Sequence, residues 1–276
     1  MLRERVSDTI YVFTSELYAQ VTAGVIVTDE GVVIVDTLPY PSESRELASF
    51  VSRVRPGNSK YIVLTHYHAD HVYGAGFFPD ARLVSHTLCR ELLARYGQES
   101  LDRVKEEDPE LADVSIRLPD ITFSDGEMGL QLGGRVVRLI HAPGHTRDSV
   151  MIYVEDDRVL FASDVVMPVP SIADGDTEAF KSSLRALAGL PIENLVQGHG
   201  EVILRGEVDE VIAASLNYLE AIEAKTRAVI EGGKGRKALH RITIESCGLS
   251  RIPLNGLVQY IHQANVNALY DHLSRA

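Results

Sequence analysis

The sequence predicts an α/β layered domain. Short β-branched runs alternate with segments of helical apolar spacing along most of the chain, and several of the runs end in loops bearing histidine or aspartate. Near the C-terminus only the helical spacing remains.

The elements follow in order. Ile10–Phe13, Gly24–Thr28 and Val32–Asp36 read as strands, and Asp29-Glu30-Gly31 between the last two is a hairpin signal. Beyond Pro39 and Pro41, Ser42 can cap a helix in which Leu47, Phe50, Val51 and Val54 follow i, i+3, i+4, i+7, with Pro56-Gly57 as its stop. Tyr61–Leu64 is a continuous apolar strand, and Thr65 opens a loop. Leu83–Ser85 is the next strand, Leu88 to Tyr96 a helix, and the charged Lys105–Asp108 a solvated helix or loop. Arg135–His141, Val150–Val154 and Arg158–Ala162 read as strands. A helix from Thr177 carries Phe180, Leu184 and Leu187 on one face, and Asn194–Val196 runs into Gly198-His199-Gly200.

After Arg205 the character changes. Val208, Ile212, Leu216, Leu219, Ile222 and Val229 keep helical spacing until Gly232-Gly233, and Leu257–Leu273 forms a second helical stretch. Residues 1–205 are therefore read as the α/β domain and 206–276 as a helical C-terminal appendage, serving substrate contact or core completion. No internal repeat is evident.

Composition narrows the function classes. The chain has 276 residues, 45% of them hydrophobic and 24% charged, with no apolar run long enough to span a bilayer. The charged start Met1–Arg5 leads into Ile10–Phe13, too short and polar for an export signal, so a cytoplasmic location is expected. The net charge of −12, from 39 acids against 27 bases, opposes nucleic-acid binding, which draws on cations to displace counterions. A small-molecule substrate is the expected partner. Cys89 and Cys247 form no C-x-x-C and read as small buried hydrophobes, not a disulfide.

The informative residues are histidines. Of ten, five fall in sharply defined contexts. Thr65-His66-Tyr67-His68-Ala69-Asp70-His71 follows an apolar strand, so alternate side chains can face one cavity, His66 and His68 together and Asp70 with His71 at a neighbouring position. Imidazole nitrogen and carboxylate oxygen are the donors zinc takes where a coordination position stays open for chemistry. Ala142-Pro143-Gly144-His145-Thr146 places His145 after another strand, behind a Pro-Gly turn. Asp164 ends the apolar Leu160-Phe161-Ala162-Ser163, and His199 sits between glycines that admit close backbone approach. Singly each of these is an ordinary loop residue; in this order they form a set.

That ordered set, His66, His68, Asp70, His71, His145, Asp164 and His199, resembles the five-motif signature of the metallo-β-lactamase superfamily, whose first motif is matched by Asp36. The resemblance runs from Val21 to Gly200. It implies a four-layer αββα sandwich with the site at one edge of two sheets. It also implies one metal on His66, His68 and His145, a second on Asp70, His71 and His199, Asp164 bridging, and Asp36 supporting the ligand loop. Two divalent ions, zinc first and iron or manganese as alternatives, would hold a hydroxide that attacks an electrophilic carbon, with Asp70 relaying the proton. No G-x-S-x-G nucleophile motif is present.

Departures rank the branches. Antibiotic-resistance lactamases of the B1 type have Cys where this chain has Asp164, which leaves β-lactam hydrolysis at most a side activity. Flavodiiron proteins have Glu in place of His68, and transfer-RNA nucleases fit poorly with the acidic balance. The chain looks most like glyoxalase-II-like and lactonase-like enzymes, which cleave thioesters, esters or lactones. A persulfide-type dioxygenase with one iron is the rival, and a structural metal site the third reading. Tyr67 and Tyr73 could donate to a developing oxyanion or simply pack. Lys234-Gly235-Arg236-Lys237 could grip an anion or be a solvated loop. His86, His141, His240, His262 and His272 read as structural or solvated.

Overall fold

Alternation along Val32–Val35 sends Val33 and Val35 into one apolar cluster and Val32 and Ile34 into another. A strand buried on both faces lies between two covering layers. The computed structural model, which describes residues 1–55, 57, 59–172 and 175–275, places it inside a seven-stranded sheet. In spatial order the strands are β1 (Leu2–Arg5), β2 (Ile10–Thr14), β3 (Thr22–Thr28), β4 (Gly31–Val35), β5 (Ser59–Val63), β6 (Arg82–His86) and β7 (Ile121–Phe123). Pairing is antiparallel from β1 to β4 and parallel from β4 to β7.

A second, six-stranded sheet holds β8 (Glu127–Leu132), β9 (Arg135–His141), β10 (Val150–Val154), β11 (Val159–Ser163), β12 (Asn194–Gln197) and β13 (Val202–Leu204). Only β11–β12 is parallel; the other pairs are antiparallel. Val33, Val35 and Val63 of the first sheet meet Val137, Leu139, Ile152 and Phe161 of the second in a core between the sheets. Gly24 is the closest fit there, since a Cβ on it would lie 2.2 Å from the Phe161 ring.

Helices cover both outer faces. α1 (Pro41–Val54), α2 (Ala69–Val72), α3 (Thr87–Leu92) and α4 (Gln98–Glu107) lie along the first sheet, through Leu47, Phe50, Val72, Cys89 and Leu101 among others. α5 (Thr177–Ala186), α6 (Val208–Glu231) and α7 (Val258–Leu273) cover the second, where Phe180, Leu219 and Val266 share a cluster with Met151, Leu160 and Leu195. The layers are helix, sheet, sheet, helix: the expected αββα sandwich with helices at its C-terminal end. Asn265 of α7 is fully buried and ties this layer to the loop after β11, accepting from Ile172 N at 2.9 Å and donating to Pro170 O at 2.6 Å.

Local differences have physical reasons. Ser42 does not cap α1; Tyr40 takes the cap position and Pro41, whose missing N–H costs nothing there, opens the helix. Pro56, its expected stop, lies outside the described residues. The helix expected to end at Tyr96 passes through a π-turn at Leu93–Gly97 into α4, which absorbs Lys105–Glu107. α5 is capped by Asp176, whose carboxylate accepts from Ala179 N at 2.7 Å. Cys89 and Cys247 are buried free thiols. No helix among the described residues is long and apolar enough to cross a membrane.

Candidate metal centre

The chain leaves β4, β5, β9, β11 and β12 at one edge of the sandwich, and each exit carries one or more of the motif residues. Asp36 follows β4 in a left-handed conformation, with φ 56°. Its carboxylate accepts from Thr65 N at 2.9 Å, Thr65 Oγ1 at 2.7 Å and His71 Nδ1 at 2.8 Å. It thus pins both ends of the loop that displays His66, His68 and Asp70. Thr65 Oγ1 also lies 2.7 Å from Ser163 Oγ, linking the loop across the sheets to the segment that carries Asp164.

The structure brings together all seven residues singled out in the sequence. His66, His68, His145 and Asp164 form one group and Asp70, His71 and His199 another, each with donor atoms within 4.8 Å of one another. Four imidazoles spend Nδ1 on the surroundings: His66 on Thr65 Oγ1, His71 on Asp36, His145 on Ser171 O and His199 on Ala19 O, at 2.8–3.0 Å. That sets the tautomers and turns the four Nε2 atoms inward. His68 presents Nδ1 instead, 2.9 Å from His145 Nε2. Asp164 stands between the groups, with Oδ1 3.3 Å from His71 Nε2 and Oδ2 3.3 Å from His145 Nε2. Asp70 Oδ2 is 3.3 Å from His199 Nε2.

Whether these residues fit a cation is answered by their buried atoms. His66 Nε2, His71 Nε2 and Asp164 Oδ1 are buried with no hydrogen-bond partner, a costly arrangement that a bound ion relieves. Nitrogen and carboxylate donors around an exposed opening suit a divalent metal of the zinc type. Electrostatics agrees. Burial pushes the carboxyl groups of Asp70 and Asp164 up, but His71 and His199 outweigh it and hold both below the usual carboxylate range. Burial likewise opposes charge on His199, yet Asp164 and Asp70 raise it to about 10, while burial takes His145 down to about 4. Two carboxylates concentrated here demand positive charge, which a cation supplies directly.

Glycines make the convergence sterically feasible. A Cβ on Gly198 would lie 1.9 Å from Asp164 Oδ1, and one on Gly144 (φ 151°) would meet Phe180 Cα at 2.3 Å. A cavity of about 530 Å³ opens over the centre, with His68, Asp70, His145, Asp164 and His199 at its base. Tyr67 and Tyr73, flagged in the sequence, both line it.

Tyr18 lines it too and was not anticipated; it lies in the turn between β2 and β3, which carries no motif. The Asp70 charge, then burial, pushes its phenol up to about 12, so it stays a donor. The backbone carbonyls of Ala19 and Ser171 were also missed, since main-chain acceptors leave no residue-type signal. None of Lys234, Arg236 and Lys237 reaches this cavity; Arg236 pairs with Asp271, and Lys234 borders a separate surface pocket. His86 and His141 stack at 4.0 Å, His262 bonds the Tyr218 hydroxyl and Ile242 O, and His240 and His272 are exposed.

The family model described as the metallo-beta-lactamase superfamily matches residues 18–199. The chain belongs to this superfamily. An atrochrysone carboxyl ACP thioesterase of Pseudocercospora fijiensis is 27% identical over 171 residues, covering 62% of this chain and 44% of the relative. A hydroxyacylglutathione hydrolase of Rhodopseudomonas palustris is 27% identical over 195 residues, covering 70% of this chain and 62% of the relative. The superfamily member thus spans less than two thirds of the length of either relative. Among solved structures, a metallo-beta-lactamase family protein of Thermus thermophilus aligns with TM-score 0.72 over 98% of this chain and 95% of its own, at 19% identity, a likeness of fold.

Proposed function

We propose that this superfamily member is a hydrolase that cleaves an ester, thioester or lactone with two divalent ions, zinc in the first instance. His66, His68 and His145 would hold one, Asp70, His71 and His199 the other, and Asp164 would serve both. One observation carries this reading: the Asp164 carboxylate reaches both groups, with Oδ2 3.3 Å from His145 Nε2 and 3.6 Å from His199 Nε2, and Oδ1 3.3 Å from His71 Nε2.

Two ions bound there would bring the pKa of water down to about 7 and polarise a substrate carbonyl. The chain's own side chains do the rest. Asp70 borders the cavity and is the more open of the two carboxylates, at 16% exposure against 5% for Asp164; it relays the proton that water gives up on adding to the acyl carbon to the oxygen or sulfur that departs as the acyl C–O or C–S bond breaks. Tyr18 donates towards the oxygen that gains charge. The bonds from Nδ1 of His71, His145 and His199 keep the rings from turning during the reaction. Residues 1–205 act as the catalytic body, and the appendage 206–276 supplies one wall of the cavity through Leu254, Leu257 and Ile261. The names of the thioesterase and hydroxyacylglutathione hydrolase relatives support acyl cleavage.

Metal analysis together with a panel of p-nitrophenyl ester, S-lactoylglutathione, lactones and nitrocefin tests this. About two ions per chain are expected, with hydrolysis lost on chelation and in His68→Ala. Full turnover surviving both treatments overturns the reading, and one iron per chain with oxygen consumption replaces it by oxygenation.

A further inference from the structure

The walls of the cavity say more about the substrate than its base does. Its lining includes Leu93 and Tyr96 from the π-turn between α3 and α4, Ile116 from the loop before β7, Leu254 and Leu257 from the segment before α7, and Ile261 of α7. Three lining residues, Tyr18, Tyr96 and Leu257, are large hydrophobics at 44%, 42% and 38% exposure, so the apolar surface continues out to the rim. Among the described lining residues there is no lysine or arginine, and the charged carboxyl groups are Asp70 and Asp164 at the base. An anionic group carried far from the scissile bond would therefore meet no cationic counterion on the wall, only hydroxyls such as those of Tyr73 and Ser100, in a chain of net charge −12, and would recover only part of its lost hydration. An alkyl or aryl group gains by displacing water from the same wall. A volume of about 530 Å³ suits a small organic molecule.

We infer that the substrate presents a neutral, apolar acyl or alkyl portion of several carbons to this wall, and that carriers with distal carboxylate or phosphate groups are disfavoured. The inference rests on the hydrolase reading for its chemistry, but the wall can be examined without turnover.

The test is calorimetric binding of primary alkanamides, from acetamide to decanamide, to the metal-loaded protein. Affinity is expected to rise about fourfold per methylene, the change that burying one CH₂ brings, until the wall is filled. Amides of equal length ending in a carboxylate should bind at least tenfold more weakly, and Leu257→Arg should reverse that preference. Ile261→Ala, a milder change, should flatten the series. A flat series with the unaltered chain, or equal binding of the carboxylated amides, overturns the inference. Hydrolysis of acetyl and decanoyl p-nitrophenyl esters at one kcat/KM, together with flat binding, would sink the substrate class and leave the hydrolase reading standing. A rising series with no hydrolysis of any ester, thioester or lactone would do the reverse.

Discussion

Oδ2 of Asp36 accepts from Nδ1 of His71 at 2.8 Å, so a residue that ends one strand sets the tautomer of a histidine 35 positions later. The same carboxylate holds Thr65 through two further bonds. Asp36→Asn keeps the shape, but its amide presents a donor where an acceptor is needed. Supporting partners of this kind typically contribute tenfold to a hundredfold in metal affinity. Competition with a chelator should show a loss of that size at an unchanged circular dichroism spectrum, and wild-type affinity would remove the supporting role.

Gly198 makes a second, purely steric prediction. Its backbone is not left-handed, so alanine is conformationally acceptable; the obstacle is Asp164, whose Oδ1 would lie 1.9 Å and whose N 2.7 Å from the new Cβ. Gly198→Ala should displace Asp164, lower the metal bound per chain relative to wild type and reduce kcat/KM by about a hundredfold. Gly206→Ala, where nothing lies within 4 Å of the added atom, is the control and should leave both unchanged.

How much of this was legible in the residues depended on the kind of signal. Strands buried on both faces, such as Val32–Val35 and Val150–Val154, read directly, because continuous apolar runs leave few alternatives. Edge strands did not. β1 is Leu-Arg-Glu-Arg and largely exposed, so hydrophobic pattern has nothing to report there. The seven motif residues were readable because strand ends bring loops to one edge. Leu254, Leu257 and Ile261 were not separable from core residues, since a wall that faces a ligand and one that faces a sheet share the same helical spacing. α7 packs in the core through Val266, and its Ile261 reaches the cavity.

The contact between α5 and α6 gives a pH-dependent prediction away from the centre. Lys181 Nζ lies 2.8 Å from both Glu178 and Glu223, and Arg227 adds a bond to Glu223. Lys181, then Arg227, hold the Glu223 carboxyl below its ordinary range. A carboxyl depressed by folding stabilises the protein above its unfolded value and loses that contribution as pH falls through the folded one. Glu223→Gln should therefore cost about 0.5–1 kcal/mol at pH 7, a drop of about 2 °C in Tm. The gap between variant and wild type should begin to narrow near the unfolded carboxyl value of about 4.3 and close as pH falls through the lower folded value. A gap independent of pH would assign the effect to packing.

Tyr18 carries the last prediction. It lines the cavity that has Asp70 at its base. A phenol ordinarily titrates at about 10, so it is protonated at neutral pH and offers a hydrogen bond to whichever substrate oxygen gains charge. A donor aimed at developing charge acts on kcat more than on KM, because the bond strengthens only as the transition state is reached. Partial exposure weakens such a donor relative to a fully enclosed one. Tyr18→Phe should then lower kcat about tenfold to a hundredfold with KM within about twofold. The fold should persist, since the ring keeps its place and only a hydroxyl is removed. Steady-state kinetics on one ester at saturating metal separates the roles: an unchanged kcat would reduce Tyr18 to wall packing, and a rise in KM alone would make it a binding contact.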